Sequence, residues 1–255
     1  MGKFVLIGSS KMLGAKCHCG LDPQSHEKCD CQEIASQARN DKVLFLSSAY
    51  LAPIQYYSKL VHYPVCIERH CHYVKQTYRN RCNIATANGV ISLTIPVDKD
   101  NKEKCLTRDV RISAHDDWQT LHWRTIVSAY NSTPFFEYYQ DDFRPFYEKK
   151  WDFLFDFNCE IQQKVIELLD IDVDIRFTDE YKTDFLPNEI DFREAIHPKK
   201  KTEDADFSLI PYYQVFDKKF GFLPNLSIID LLFNMGNEAA LVLEKSVNKN
   251  ESQAF

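Results

Sequence analysis

The run Val43-Leu-Phe-Leu-Ser-Ser-Ala-Tyr-Leu-Ala-Pro-Ile-Gln-Tyr-Tyr-Ser-Lys-Leu-Val-His-Tyr-Pro-Val-Cys-Ile67 decides the fold of this chain. Its first four residues are continuously apolar and stop at Ser47-Ser48, the pattern of a short buried strand. Pro53 suits the first turn of a helix, where a missing N–H is harmless. Residues 54–63 follow with Ile54, Tyr57, Leu60 and Val61 on one face, and Val65-Cys-Ile67 is a second apolar run. Strand, helix and strand in this order predict a βαβ unit and hence a parallel sheet. Ligands of such sheets sit at the carboxyl ends of the strands, an edge that here holds Ser47, Ser48, Tyr50 and Gln55.

Working outward, strands are expected at 78–85 and 90–96, joined by Ala87-Asn-Gly89, a strong hairpin signal. Residues 99–109 are polar, and Arg108-Asp-Val-Arg-Ile112 reads as one more short strand. Helices are predicted over 117–130, 135–147, 153–169 and 228–243. An edge strand over 172–177, a charged loop or lid over 182–208 and a frayed tail over 248–255 complete the pattern. The expected fold is α/β, an N-terminal βαβ-containing sheet covered by C-terminal helices, in one domain over 42–255.

The 255 residues are 44% hydrophobic and 27% charged, enough to build a core. Seven glycines disfavour a solenoid or a Gly-rich phosphate loop, and 18 Phe, 13 Tyr and 3 Trp suit a stiff core or a stacking pocket alike. A formal net charge of −6 disfavours nonspecific nucleic-acid binding, which runs on surplus cations, and no nucleic-acid partner is expected. Lys199-Lys-Lys201 is followed at once by Glu203, Asp204 and Asp206 and reads as a solvated loop. No apolar stretch approaches the ~20 residues of a membrane span, and the opening run ending at Ile7 is too short for a secretory signal, so the chain reads as cytoplasmic.

Residues 1–41 differ from the remainder. They lack helical or strand periodicity, and Cys19-Gly-Leu-Asp-Pro-Gln-Ser-His26 with Glu33-Ile-Ala-Ser-Gln-Ala-Arg-Asn-Asp41 resembles a translated bacterial intergenic repeat. A disordered or repeat-derived extension is expected there. Its two Cys-x-Cys pairs, Cys17/Cys19 and Cys29/Cys31, leave too short a gap for paired zinc ligands, so no metal site is expected. The other five cysteines read as small core residues.

The chemistry concentrates in Tyr73-Val-Lys-Gln-Thr-Tyr-Arg-Asn-Arg81. If strand alternation holds, Arg79 and Arg81 share a face near Lys75, and three like charges so placed suit a bound phosphate or carboxylate. A sheet face salt-bridged to Glu68, Glu103 or Asp109 explains them equally well. His115 and His122 lie on either side of Trp118 and are candidate general bases, or else capping and core histidines. His70 and His72 share a strand face but lack an acidic or thiol partner. Asn225, Ser227 and Asp230 open the last helix as caps and first-turn charge, and Asp230 could also orient a cation of the anion site. Gln55, Tyr56, Asn80 and Tyr130 complete the candidate substrate contacts. No Gly-x-Ser-x-Gly elbow, Walker loop or paired-Glu pattern occurs, and no motif names a cofactor.

Ala49-Tyr-Leu-Ala-Pro-Ile-Gln-Tyr-Tyr57, Tyr73-Val-Lys75 and Asn80-Arg81 occur in order with Trp118, His122, Ser128-Ala-Tyr130 and Phe222-Leu-Pro-Asn-Leu-Ser-Ile-Ile-Asp-Leu-Leu-Phe-Asn234. In these segments the chain resembles the WbqC-like protein family, a family of bacterial surface-polysaccharide and lipopolysaccharide O-antigen gene clusters. The resemblance aligns Lys75, Asn80, Arg81 and Asp230 with family positions. It implies a group-transfer enzyme acting on a small anionic substrate, a nucleotide sugar or an activated acyl group, with His122, His115 and Asp230 as catalytic candidates. A non-catalytic partner of a glycan-assembly complex is the alternative, its aromatic helices forming an interface and a homo-oligomer remaining open. The strand–Pro–helix opening also resembles nucleotidyltransferases, but Tyr56-Tyr57 stand where those enzymes offer paired histidines.

Overall fold

The computed structural model describes residues 42–98, 105–114, 117–199 and 204–247. His115 and the extension over residues 1–41 lie outside the described residues. In chain order the elements are β1 (Val43–Ser47), α1 (Ile54–His62), β2 (Val65–Glu68), β3 (Arg81–Thr86) and β4 (Gly89–Thr94). Then follow α2 (Trp118–Tyr130), α3 (Phe136–Glu148), α4 (Leu154–Leu169), β5 (Ile175–Phe177), β6 (Glu189–Asp191), α5 (Asp217–Phe220), α6 (Ile228–Met235) and α7 (Ala239–Lys245). The fold is α/β, with a βαβ unit of the parallel sheet leading, helices following, and two later strands returning to complete the sheet.

The opening run forms the predicted unit, with β1 and β2 parallel and Ser47 opposite Glu68. Leu44, Phe45 and Leu46 are all buried, which is why the run shows no polar alternation. Helix α1 is shielded round most of its circumference, Tyr56, Tyr57, Ser58, Lys59 and Leu60 included, so it does not present the single apolar face that its spacing predicts. The sheet has four parallel strands in the order β5-β2-β1-β6. Strand β5 lies at the edge predicted for 172–177. Strand β6 lies inside the segment read as a loop, because Glu-Ile-Asp is too short to show a period.

The hairpin β3-β4 pairs antiparallel with Thr86 opposite Gly89, whose φ of +105° favours glycine. Its first strand starts at Arg81, not at residue 78, since residues 75–80 are turns and bends. Residues 108–112 form no strand. Thr107–Asp109 is a 3-10 turn, and Arg111 and Ile112 make single bridges to Phe153 and Val97.

The core between the helices is aromatic. Trp118 meets His122 and Phe157 edge-on, and Phe233 takes Phe136 and Phe143 in the same way, at centroid separations of 5.2–5.5 Å. Through its centre runs a hydrogen-bonded chain in which Tyr50 Oη lies 2.8 Å from Tyr147 Oη and 3.0 Å from His122 Nδ1.

The last helix is broken, against the continuous one predicted over 228–243. Gly236 takes φ +58°, ends α6 and leads through a 3-10 turn into α7. A Cβ there would lie 2.6 Å from the Phe135 ring, so glycine is required both for the backbone angle and for this approach. Gly236→Ala should therefore destabilise the protein by about 1–3 kcal/mol, the sum of a left-handed backbone and a displaced ring. Urea unfolding measures it, and an unchanged midpoint would contradict this account of the break.

Candidate functional site

Strands β2 and β6 lie on opposite sides of β1, so the chain passes to both sides of this strand. In open parallel sheets such a switch point opens a crevice at the carboxyl ends. Here a cleft stands at that place, lined by Ser47, Ser48 and Tyr56 from β1 and α1, Thr77 and Arg79 from the turn before β3, and Arg193, Glu194 and His197 beyond β6. Its volume is about 20 Å³, room for one water-sized group.

Arg79 is the cation of this site. It is 3% exposed, and its Nη2 donates to Ser47 Oγ at 2.7 Å and to Glu194 Oε1 at 2.6 Å. Nη1 reaches Thr77 Oγ1 at 3.4 Å, and Cys71 Sγ lies 3.8 Å from Nη2. Nε is buried without a hydrogen-bond partner, as is the hydroxyl of Tyr73. Burial pushes the Tyr73 phenol up to about 12 against the opposing pull of Arg79 and Arg81, which places both cations within electrostatic reach of it. Glu194 is half exposed, so a movable carboxylate caps a fixed, buried guanidinium from the solvent side.

The ends of the neighbouring strands fix the frame. Glu68, fully buried at the end of β2, accepts from His70 N–H at 2.8 Å, Thr178 Oγ1 at 2.8 Å and Arg193 Nη1 at 3.3 Å. Arg193 also pairs with Asp191 at 2.7 Å. Beneath the cleft, Asn158 of α4 donates to Ser48 Oγ at 3.0 Å and to the Arg79 carbonyl at 2.8 Å. Its Oδ1 and the Nε2 of Gln162, one turn on, are buried without partners.

A second, roomier cleft of about 460 Å³ shares Tyr78 and His197 with the first. Gln55, Asn83, Asp204 and Asn225 line it beside Val90, Phe207 and Leu223. Asp204 accepts from Gln55 Nε2 and from Lys59 Nζ, both at 2.9 Å. Lys59 is wholly buried on α1 and meets the rings of Phe192 and Tyr63 as well. Asn225, at φ +52°, caps α1 by accepting from Gln55 N–H at 3.0 Å and donates to Gln55 Oε1 at 3.2 Å.

The three expected cations do not form one cluster. Lys75 is exposed in the turn, Arg79 is buried under Glu194, and Arg81 donates through Nε to Thr94 Oγ1 at 3.1 Å across the hairpin. Alternation cannot bring Arg79 and Arg81 onto one strand face, since the strand begins only at Arg81. Asn80 is buried and donates to the Ile95 carbonyl at 2.9 Å, and Tyr56 donates to the Ser47 carbonyl at 3.1 Å. Strand β2 ends before His70 and His72, and His70 lies between Arg69 and Arg108, so the expected shared strand face is absent.

His122 is enclosed by Tyr50 and Trp118, lines neither cleft, and is lowered by burial to about 4. A neutral imidazole held in the core does not meet the requirement of a general base in contact with substrate. Asp230 does not orient a cation either. It accepts from Tyr130 at 2.9 Å, Tyr212 at 2.6 Å and Gln214 at 3.3 Å, so Tyr130 is a core partner of Asp230.

Sequence reasoning missed Arg193, Glu194, Asn158 and Lys59, named Glu68 only as a salt-bridge partner of the cationic cluster, and placed Asp204 only in a solvated loop. Asn158 and Gln162 left a readable trace, an amide pair four residues apart among the buried Leu154, Phe157, Ile161 and Val165 of α4. Lys59 left one too, as a cation among the apolar residues of α1. Arg193 and Glu194 left none, because the short strand that places them is invisible.

Burial raises the Asp230 carboxyl to about 6, its three donors pulling the other way. A raised acid holds its proton longer in the folded chain. Its contribution to stability is therefore full below about pH 4 and is lost as pH rises through 6. Asp230→Asn should flatten urea stability across pH 4–6.5, removing a fall of up to about 3 kcal/mol. Parallel profiles of the two proteins would contradict a proton held at Asp230.

Comparison with known proteins adds to this geometry. A protein of Mycobacterium tuberculosis, named only as uncharacterized protein Rv1507c, is 25% identical over 189 residues, covering 66% of this chain and 81% of its own. No solved structure matches the chain. The sequence profile of the WbqC-like protein family matches residues 48–193, from the end of β1 through Arg193 at the sheet's carboxyl edge, and the chain belongs to that family.

Proposed function

We propose that this protein is a group-transfer enzyme of bacterial surface-polysaccharide synthesis that holds the anion of its substrate, a phosphate or carboxylate, against Arg79. One observation carries the reading. A guanidinium 3% exposed stands at the switch point of a parallel sheet, its Nε unpaired and its solvent side closed by a half-exposed glutamate. The pathway rests on the family resemblance, and the anion on this site.

The chemistry follows from the donors. Guanidinium N–H groups match the oxygens of phosphate or carboxylate two at a time, and in a dry site they stabilise charge developing on a leaving group. Ser47 Oγ and Thr77 Oγ1 hold Arg79 from behind and supply hydroxyls beside it. The cleft admits an anion only when Glu194 swings out, so ligand and Glu194 compete for one guanidinium. Glu194, released beside the bound anion, is the carboxylate placed to take a proton from an acceptor hydroxyl. His122 has no part in this step, being sealed in the core.

Competition makes a signed test. Glu194→Gln should tighten binding of inorganic phosphate at least fivefold by calorimetry, since the resident carboxylate is gone. Arg79→Met should weaken it more than tenfold, with folding checked by circular dichroism. Binding unchanged in Glu194→Gln, or retained in a folded Arg79→Met protein, would sink the proposal.

A further inference from the structure

We infer that the cleft beside the Arg79 site receives the hydroxylated ring of the same substrate, which makes that substrate a sugar phosphate and not an acyl carrier. The inference rests on the anion reading above and concerns the neighbouring space. That space, about 460 Å³, falls within the range of small-molecule sites and adjoins the anion cleft, with Tyr78 and His197 lining both.

Its lining mixes two chemistries. It holds the amides of Gln55, Asn83 and Asn225 and the carboxylate of Asp204 together with the apolar Val90, Phe207 and Leu223. An amide both donates and accepts, and an ionised carboxylate only accepts, so this set suits hydroxyl groups, which do both. Apolar side chains in the same lining suit the C–H face of a sugar ring. An acyl chain would leave the spare donors and acceptors of this set unmet, at a cost for each.

The polar set is held in place before any ligand arrives. Lys59, wholly buried, donates to Asp204 at 2.9 Å, and the Gln55–Asn225 amide pair holds both side chains to α1. These bonds use only part of their capacity. One amide N–H on Gln55 Nε2 and one on Asn225 Nδ2 remain over, as does a lone pair on Asp204 Oδ2. Asn225 sits at φ +52°, a strained angle kept by its bonds to Gln55 and found at the cleft wall.

The test is calorimetry of the full chain with inorganic phosphate and with the 1-phosphates of glucose, galactose, mannose and N-acetylglucosamine. Two variants probe the cleft. Asn83→Ala removes an amide, and Val90→Trp fills the space from an exposed position on β4 that the fold does not depend on. At least one sugar phosphate should bind tenfold tighter than phosphate. Both variants should abolish that gain while leaving phosphate affinity within twofold. If phosphate binds and no sugar phosphate binds tighter, or if the gain survives both variants, the sugar subsite is wrong and the anion site stands. If none of the five ligands binds, the anion site is wrong as well and takes this inference with it.

Discussion

A guanidinium taken out of water must be neutralised, and the architecture around Arg79 follows from that requirement. The side chain is fixed from behind by Ser47 at the end of β1 and by Thr77 in the preceding turn. Its charge is met from beyond β6, by Glu194. The next residue back, Arg193, carries the opposite charge to the opposite partner, the buried Glu68 at the end of β2. Two adjacent residues of opposite sign thus fasten one segment to the end of β2 and to the turn before β3. A buried ion pair is weak as a source of stability, because desolvation opposes the attraction, but losing one partner is costly. Such a pair does more for position than for stability, and here it positions a cation at the sheet's open edge.

The second constraint is backbone strain held by hydrogen bonds. Leu51 follows β1 with φ +40°, an unusual angle for a bulky residue, and its carbonyl accepts from Ser227 Oγ at 2.7 Å. Ile228 N–H binds the Ala52 carbonyl at 2.9 Å and Ile54 N–H the Leu226 carbonyl at 3.1 Å. The segments 49–57 and 222–234, far apart in sequence, are therefore stapled together. The first lies within the family match over residues 48–193 and the second beyond it, and both line the larger cleft, through Gln55 and Asn225. The staple gives those sequence motifs a physical meaning that neither has alone.

Much of the fold was legible. The βαβ unit, the Asn88-Gly89 hairpin and the starts of α2, α3 and α4 all rest on local patterns, and local patterns survive folding. What was lost depends on tertiary context. Arg79, Arg81 and Lys75 looked like one strand-borne cluster because a strand was extended three residues too far, whereas Lys75 and Arg79 lie in turns and only Arg81 stands on β3. His122 and Asp230 looked catalytic because a titratable group carries no mark of burial in the sequence. Both are core residues with satisfied hydrogen bonds. Glu194 and Asp204 could not be found, since each meets its cation across more than a hundred residues.

The account stands on the claim that Arg79 exchanges Glu194 for the anion of a ligand. A crystal structure of the protein grown with tungstate, located by its anomalous signal, tests this most directly. The account predicts the tungsten peak beside Arg79, oxygens on Nε and Nη2, and the Glu194 carboxylate turned away. A structure with Glu194 still on Arg79 and no tungstate in the cleft would contradict it.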